Sequence, residues 1–265
     1  MRNTLLFLMM VALGAANAQE RPFFSAYKSN TICSDPNGHI YLASDEAVEK
    51  FDGEGRKMNA YSNPSLGNIT CVDSRIPSKI LVFRKESGLV TLLGSELTEI
   101  SPALRLFDKG WMNIGLAAMG GSDRIVLYDE VKRSIIITDL SLTTISATDI
   151  TFPEGFRATD LQVIPNNYIA LTDTAMGVCL LDHFGTFEKY IPLQHLTSAR
   201  FYKNCFFYLQ KGNLYKYSLP TETTLLAIEE IVLGAVLDMR DFIVLGTGLY
   251  YIGSDGEAGK LEVSY

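Results

Sequence analysis

Cys33-Ser34-Asp35 and Cys71-Val72-Asp73 place a thiol two residues ahead of a carboxylate at matching points of two neighbouring segments. Such a pair raises the question of a disulfide. A bridge needs the two Cα atoms within about 7 Å. Cys179, in Val178-Cys179-Leu180-Leu181, and Cys205, in Cys205-Phe206-Phe207, sit in apolar runs, where a reduced thiol behaves as a small hydrophobe. The three histidines, His39, His183 and His195, are scattered and do not have the spacing of a transition-metal cluster. There is no Gly-x-Ser-x-Gly elbow and no Ser, His and Asp arrangement for nucleophilic catalysis. Gly53-Glu54-Gly55 and Gly246-Thr247-Gly248 precede no helical pattern, so they read as turns and not as phosphate cradles. The chemistry points away from an enzyme, and neither a metal nor an organic cofactor is expected.

The elements that must position these residues repeat. Ile32-Cys33-Ser34, Ile40-Tyr41-Leu42-Ala43, Ala47 to Phe51 and Met58 to Tyr61 form a strand quartet. Similar quartets start near Asn68, Asn113, Ala158, Thr197 and Gly234. The runs are short, rich in β-branched and aromatic residues, and punctuated by Gly, Asp, Asn and Pro. The second run of each quartet is the most continuously apolar, as a strand covered on both faces requires. A period of roughly 40 residues with four strands each predicts an all-β fold, a six-bladed β-propeller of four-stranded antiparallel blades. The equivalent slots of Cys33 and Cys71 then fall on the innermost strands of adjacent, splayed blades. Two reduced thiols are the expected state, with a bridge as the alternative. In this scheme Leu97–Ile100 is the outer strand of blade 2 and Thr224–Ala227 that of blade 5. Ala235–Asp238 is the inner strand of blade 6, and Phe242–Leu245 its second.

Residues 1–18 read as a signal peptide: Arg2, an apolar stretch from Leu5 to Leu13, and Ala16-Asn17-Ala18 before Gln19. That run is shorter than the ~20 residues of a membrane span, so a cut at Ala18/Gln19 and a periplasmic or secreted protein are expected. No span is expected in the mature chain. Residues 19–265 form one propeller domain, expected to be monomeric, with Gln19–Asn30 leading in and available to complete the last blade. The formal charge is −7 over 265 residues. Without a basic block the chain does not suit nucleic acid or anionic lipid.

Asp35-Pro36-Asn37-Gly38-His39-Ile40-Tyr41-Leu42-Ala43, followed by Val48-Glu49-Lys50-Phe51-Asp52-Gly53-Glu54-Gly55, resembles the NHL repeat of bacterial β-propellers, with the resemblance strongest over residues 31–56. That family includes binding platforms, sugar-lactone hydrolases and quinone-dependent dehydrogenases. The hydrolase branch implies a divalent-metal cage on the innermost strands, for which Asp35, Asp73, Asp160 and Asp238 are the candidates of suitable type. Their register is against it: aligning the hairpins puts Ile164, and not Asp160, opposite Asp35, and Ala117 or Ala118 in the third repeat. Carboxylates that cap turns are the expected alternative. The quinone branch implies basic and histidine residues around the hole, which the scattered histidines do not supply.

The longest connections between repeats, Ser101 to Met112 and Asp149 to Arg157, carry Leu106, Phe107, Trp111, Phe152 and Phe156. Large aromatics on long loops of a rigid scaffold are candidate anchors for a protein partner. The competing expectation is that they fold back to plug the hole or cover a blade edge. Asn68-Ile69-Thr70 and Asp173-Thr174-Ala175 match short glycosylation patterns, the second with Thr174 as acceptor. The function expected is a non-enzymatic, exported binding or scaffold subunit of a bacterial cell-envelope, outer-membrane or secretion assembly. A metal-dependent hydrolase or lactonase working at the central hole is the alternative.

Overall fold

The computed structural model describes Phe24 and residues 28–164, 168–202, 205–218, 228–233 and 238–263. Six antiparallel sheets follow one another along the chain. Blade 1 is β1 (Thr31–Ser34), β2 (Ile40–Ala43), β3 (Ala47–Phe51) and β4 (Lys57–Ser62). Blade 2 is β5 (Cys71–Asp73), β6 (Ile80–Arg84), β7 (Leu89–Leu93) and β8 (Leu104–Arg105). Blade 3 is β9 (Ile114–Met119), β10 (Arg124–Asp129), β11 (Ser134–Asp139) and β12 (Thr144–Asp149). Blade 4 is β13 (Asp160–Val163), β14 (Ile169–Asp173), β15 (Gly177–Leu181) and β16 (Phe187–Pro192). Blade 5 is β17 (Leu196–Tyr202), β18 (Cys205–Gln210), β19 (Asn213–Ser218) and β20 (Ile228–Leu233). Blade 6 is β21 (Met239–Leu245), β22 (Gly248–Gly253) and β23 (Ala258–Glu262). The fold is a six-bladed propeller, with β1, β5, β9, β13, β17 and β21 innermost.

Strand burial explains the sequence pattern. β2, β6 and β14 are buried at every position, and β10 at all but its first, because neighbouring blades cover both faces of each second strand. The contacts between blades form separate apolar clusters: Tyr41, Val48, Val72 and Val82 join blades 1 and 2, and Val126, Ile137, Leu161 and Leu171 join blades 3 and 4. Outer strands such as β12 and β16 expose most of their residues.

Aspartates close the turns. Asp52, Asp139 and Asp182 each accept two backbone N–H groups across the third hairpin of their blade, and Asp129 and Asp173 do the same in the second. A side chain that bonds its own backbone two residues on is the property that selects Asp for turns.

Two assignments are corrected. In blade 2 the outer strand is β8, preceded by a single bridge between Leu93 and Glu99, and not Leu97–Ile100. In the last part of the chain the blades are displaced by one strand. Phe242–Leu245 belongs to β21, which is innermost because it packs beside both β17 and β1. The outer strand of blade 5 is β20, while Thr224–Ala227 and residues 235–237 lie outside the described residues. Apolarity marks a strand without saying to which blade it belongs, and consecutive short runs allow both groupings.

This shift leaves blade 6 with three strands among the described residues, and Phe24 and Ser29 of the lead-in pack beside them. Phe24 is buried against Phe51 at 4.9 Å, edge to face, in a cluster shared by Ile32 and Ile40 of blade 1 and Ile243 and Ile252 of blade 6. Ser29 N–H donates to Gly256 O at 3.1 Å, and Asn30 N–H to Ala43 O at 2.7 Å. These described residues tie the last blade to the first. The predicted signal peptide, residues 1–18, lies outside the described residues.

Candidate functional site: the central channel and the connection face

The innermost strands surround a channel with a free volume of about 140 Å³, lined by residues of all six blades. Two arginines organise its polar groups. Arg75, just beyond β5, donates from Nε to Asp73 Oδ1 at 2.9 Å, from Nη2 to Asp73 Oδ2 and, at 2.6 Å, to Met119 O, and from Nη1 to Val163 O. Asp73 Oδ2 also accepts the Met119 N–H at 2.9 Å. Asp73, Met119 and Val163 are the last residues of β5, β9 and β13, so this cluster fastens the ends of three consecutive innermost strands.

Arg200, in β17, reaches both neighbours. Its Nη1 donates to Asp160 Oδ2 at 2.7 Å and its Nη2 to Asp241 Oδ1 at 2.6 Å. Gln162 Nε2 donates to Asp160 Oδ2 at 2.6 Å and to Ala199 O at 2.8 Å, while its Oε1 accepts Phe201 N–H. Asp241 takes the Ser198 hydroxyl at 2.9 Å and, through Oδ2, the Ile32 N–H at 3.2 Å. Burial works against the Arg200 charge, but Asp241 and Asp160 outweigh it and hold its pKa above the usual value. Arg200 thereby joins blades 4, 5 and 6, and Asp241 carries the link on to blade 1.

The sequence candidates for a carboxylate cage do not converge. Asp35 caps its own hairpin, accepting N–H groups from Asn37 and His39 and bonding His39 Nδ1 and the Tyr41 hydroxyl. The position opposite Asp35 in blade 4 is Ile164, as the matching Asp35–His39 and Ile164–Tyr168 backbone bonds show, and in blade 3 it is Gly120 in place of Ala117 or Ala118. Asp238 is exposed at a positive φ of 65° and accepts the Ser254 hydroxyl. Asp73 and Asp160 do border the channel, each held by an arginine. Among the described residues no group of three or more His, Cys, Asp or Glu side chains has the geometry to hold a metal. Asp241, Arg75 and Arg200 escaped the sequence reading. The displaced blade 6 hid Asp241, and nothing in local pattern marks an arginine whose partners lie on other blades.

Cys33 and Cys71 both line the channel as free thiols. Cys71 Sγ lies 3.4 Å from Ala117 O, and burial pushes the pKa of each up to about 12. Cys179 is likewise free, buried and raised to about 12, and Cys205 is free and half-buried.

At the opposite ends of the strands from the first hairpins run the connections between blades. Leu106, Phe152 and Phe156 are buried there, which corrects the expectation that they form an exposed anchor surface. Phe152 and Phe156 stack at 4.9 Å, and Phe152 meets Tyr128 edge-on at 6.0 Å, so the second connection folds back into the seam between blades 3 and 4. Trp111 is half-buried against the cluster joining blades 2 and 3. Phe107 is 39 % exposed and lies over Gly88, where any Cβ would strike its ring. Asn68 is exposed, and Thr174 is a half-buried residue of the β14–β15 turn.

No family model and no curated protein sequence matches the chain. Solved structures do. The chain is similar to the Pan2 WD40 domain of Neurospora crassa, with a TM-score of 0.60 at 12 % identity over 88 % of this chain and 75 % of that one. A catalytically inactive virginiamycin B lyase from Staphylococcus aureus, solved with quinupristin, gives 0.60 at 10 % identity, covering 91 % and 82 %. BBS1N in complex with ARL6DN gives 0.55 at 12 % identity, covering 89 % and 76 %. At these identities the likeness extends to the propeller fold. The resemblance to NHL repeats stands at that same level. Enzymes and protein-binding propellers both stand among the neighbours, so the fold does not choose between them.

Proposed function

We propose that this chain is an exported, non-enzymatic propeller that binds protein, acting as a scaffold subunit of a bacterial cell-envelope or secretion assembly. The observation that carries the reading is the state of the carboxylates at and behind the channel wall. Asp73, Asp160 and Asp241 accept charge-assisted bonds from Arg75 and Arg200. A hydrolase reading needs these oxygens free to ligate a cation or take a proton, and here they fasten strands instead. Export rests on the pattern of residues 1–18 and its cut at Ala18/Gln19. No described helix is long and apolar enough to cross a membrane.

The contact surface is a patch on the connection face. Met112 is 61 % exposed and Val131 68 %, and the bond from Glu130 N–H to Asn113 O at 3.0 Å joins the segments that carry them. Phe107 and the exposed edge of Trp111 extend the same connection. Apolar residues at the rim of a rigid scaffold supply contact area at small entropic cost.

The test is affinity purification of the tagged chain from detergent-solubilised envelopes, with Met112→Asp and Val131→Asp combined as the control. Recovery of a defined complex by the parent chain, lost in a double variant of unchanged melting temperature, supports the reading. Equal recovery by both chains overturns the assigned surface, and hydrolysis of a sugar lactone by the purified chain overturns the class.

A further inference from the structure

Beside that patch, a cleft of about 400 Å³ opens between the β10–β11 turn and the connection from blade 3 to blade 4, lined by Tyr128, Glu130, Arg133, Gly155, Phe156 and Arg157. Arg133 is the unusual member. Its guanidinium lies over the Phe152 ring at 5.0 Å, and both Nε and Nη2 are buried with no hydrogen-bond partner among the described residues. Those two N–H groups point the same way and form one fork of the guanidinium, the fork that donates two parallel bonds to a carboxylate. Buried donors left unpaired are costly, and native proteins rarely keep them without a use. Arg133 also holds a positive φ of 56°, so the turn maintains a sparsely populated backbone conformation where it presents this side chain.

The surroundings favour an anion. Arg157 is exposed and adds a second cation to the lining. Glu130 is the acidic group in that lining, and its Oε2 is engaged by Lys85 at 2.8 Å. The planar fork of Arg133 matches the two oxygens of a carboxylate in spacing. The aromatic lining, Tyr128 and Phe156, suits the aliphatic stem of an acidic residue.

We propose that Arg133 and Arg157 form a carboxylate-binding cleft that takes an acidic side chain or terminal carboxylate of the protein partner. This inference rests on the protein-binding reading above, because Val131 of the contact patch and Arg133 belong to one turn.

The experiment uses small anions on the whole chain. Arginine Nε–H resonances are followed by NMR during titration with sodium acetate, with inorganic phosphate as the second probe at matched ionic strength. A saturable shift of the Arg133 resonance with acetate, assigned by its loss in Arg133→Lys, is the expected result. Following the remaining resonances, Arg133→Lys keeps the charge and removes the fork, so acetate affinity falls about tenfold or more. Arg157→Ala, at an exposed position, folds normally and weakens acetate several-fold without abolishing the Arg133 shift. No saturable shift, or phosphate acting at lower concentration than acetate, overturns the proposal. Acetate binding without recovery of any partner from envelopes retains a carboxylate cleft and removes its assignment to a protein. Partner recovery without acetate binding does the reverse.

Discussion

Asp241 of the last blade accepts the backbone N–H of Ile32 in the first blade at 3.2 Å, while its other oxygen holds Arg200 at 2.6 Å. The ring is therefore closed on its inner edge by a side chain that is itself pinned by the neighbouring blade. Phe24 reinforces the same seam from the lead-in.

Asp241 is buried, and its removal leaves the Arg200 guanidinium short of a partner. Asp241→Ala is expected to lower the free energy of unfolding by about 3 kcal/mol, read from urea denaturation, with Asp241→Asn falling between it and the parent. A parent-like Asp241→Ala curve would show that the seam is held by the apolar cluster alone.

The two kinds of aromatic and apolar residue on the connection face separate cleanly in stability measurements. Phe156 is buried and stacked, so Phe156→Ala costs about 3–5 kcal/mol. Exposed Val131→Asp stays within about 0.5 kcal/mol of the parent. Thermal melts compare them directly, and partner recovery per folded molecule should fall for Val131→Asp.

The turn aspartates make the fold acid-sensitive. Backbone N–H groups of Arg56 and Thr143 hold Asp52 and Asp139 below the usual carboxylate range, and at Asp182 the turn amides outweigh an opposing burial effect. A carboxylate whose pKa is lower folded than unfolded contributes stability that is complete above the unfolded value, about 3.9, and is lost as pH falls through the folded value. Melting temperature is expected to be unaffected by these groups from pH 7 to about 5 and to fall below about pH 4. Asp139→Asn should flatten that acid limb, and an unchanged limb would remove this aspartate from the explanation.

Cys33, Cys71 and Cys179, with pKa values pushed up to about 12, offer almost no thiolate at neutral pH. Iodoacetamide at pH 8 should leave these three unlabelled in native protein and modify them after denaturation, as mass spectrometry of the digests will show. Rapid native labelling of Cys33 or Cys71 would mean that the channel opens on the timescale of the reaction.

The blade count and the second strands were legible in residues alone, because a strand covered on both faces has to be apolar throughout: Ile80–Phe83 and Ile169–Leu171 announce themselves. The Asp35 turn was legible for a similar local reason, since its side chain bonds its own hairpin. The hairpin alignment that set Ile164 opposite Asp35 was legible too. Tertiary structure decided the rest. Which blade owns Phe242–Leu245 depends on β21 packing between β17 and β1, a relation across 40 to 210 residues that no local pattern encodes. Whether Phe152 and Phe156 face solvent or a seam depends on the space between blades 3 and 4, which the connection fills because two buried rings gain more than two exposed ones. The arginine clamps belong to the same class. Arg75 and Arg200 look like ordinary surface cations in sequence; Asp73 is a local partner of Arg75, but the Met119 and Val163 carbonyls it also holds, and the Asp160 and Asp241 carboxylates that hold Arg200, come within reach only when the innermost strands assemble.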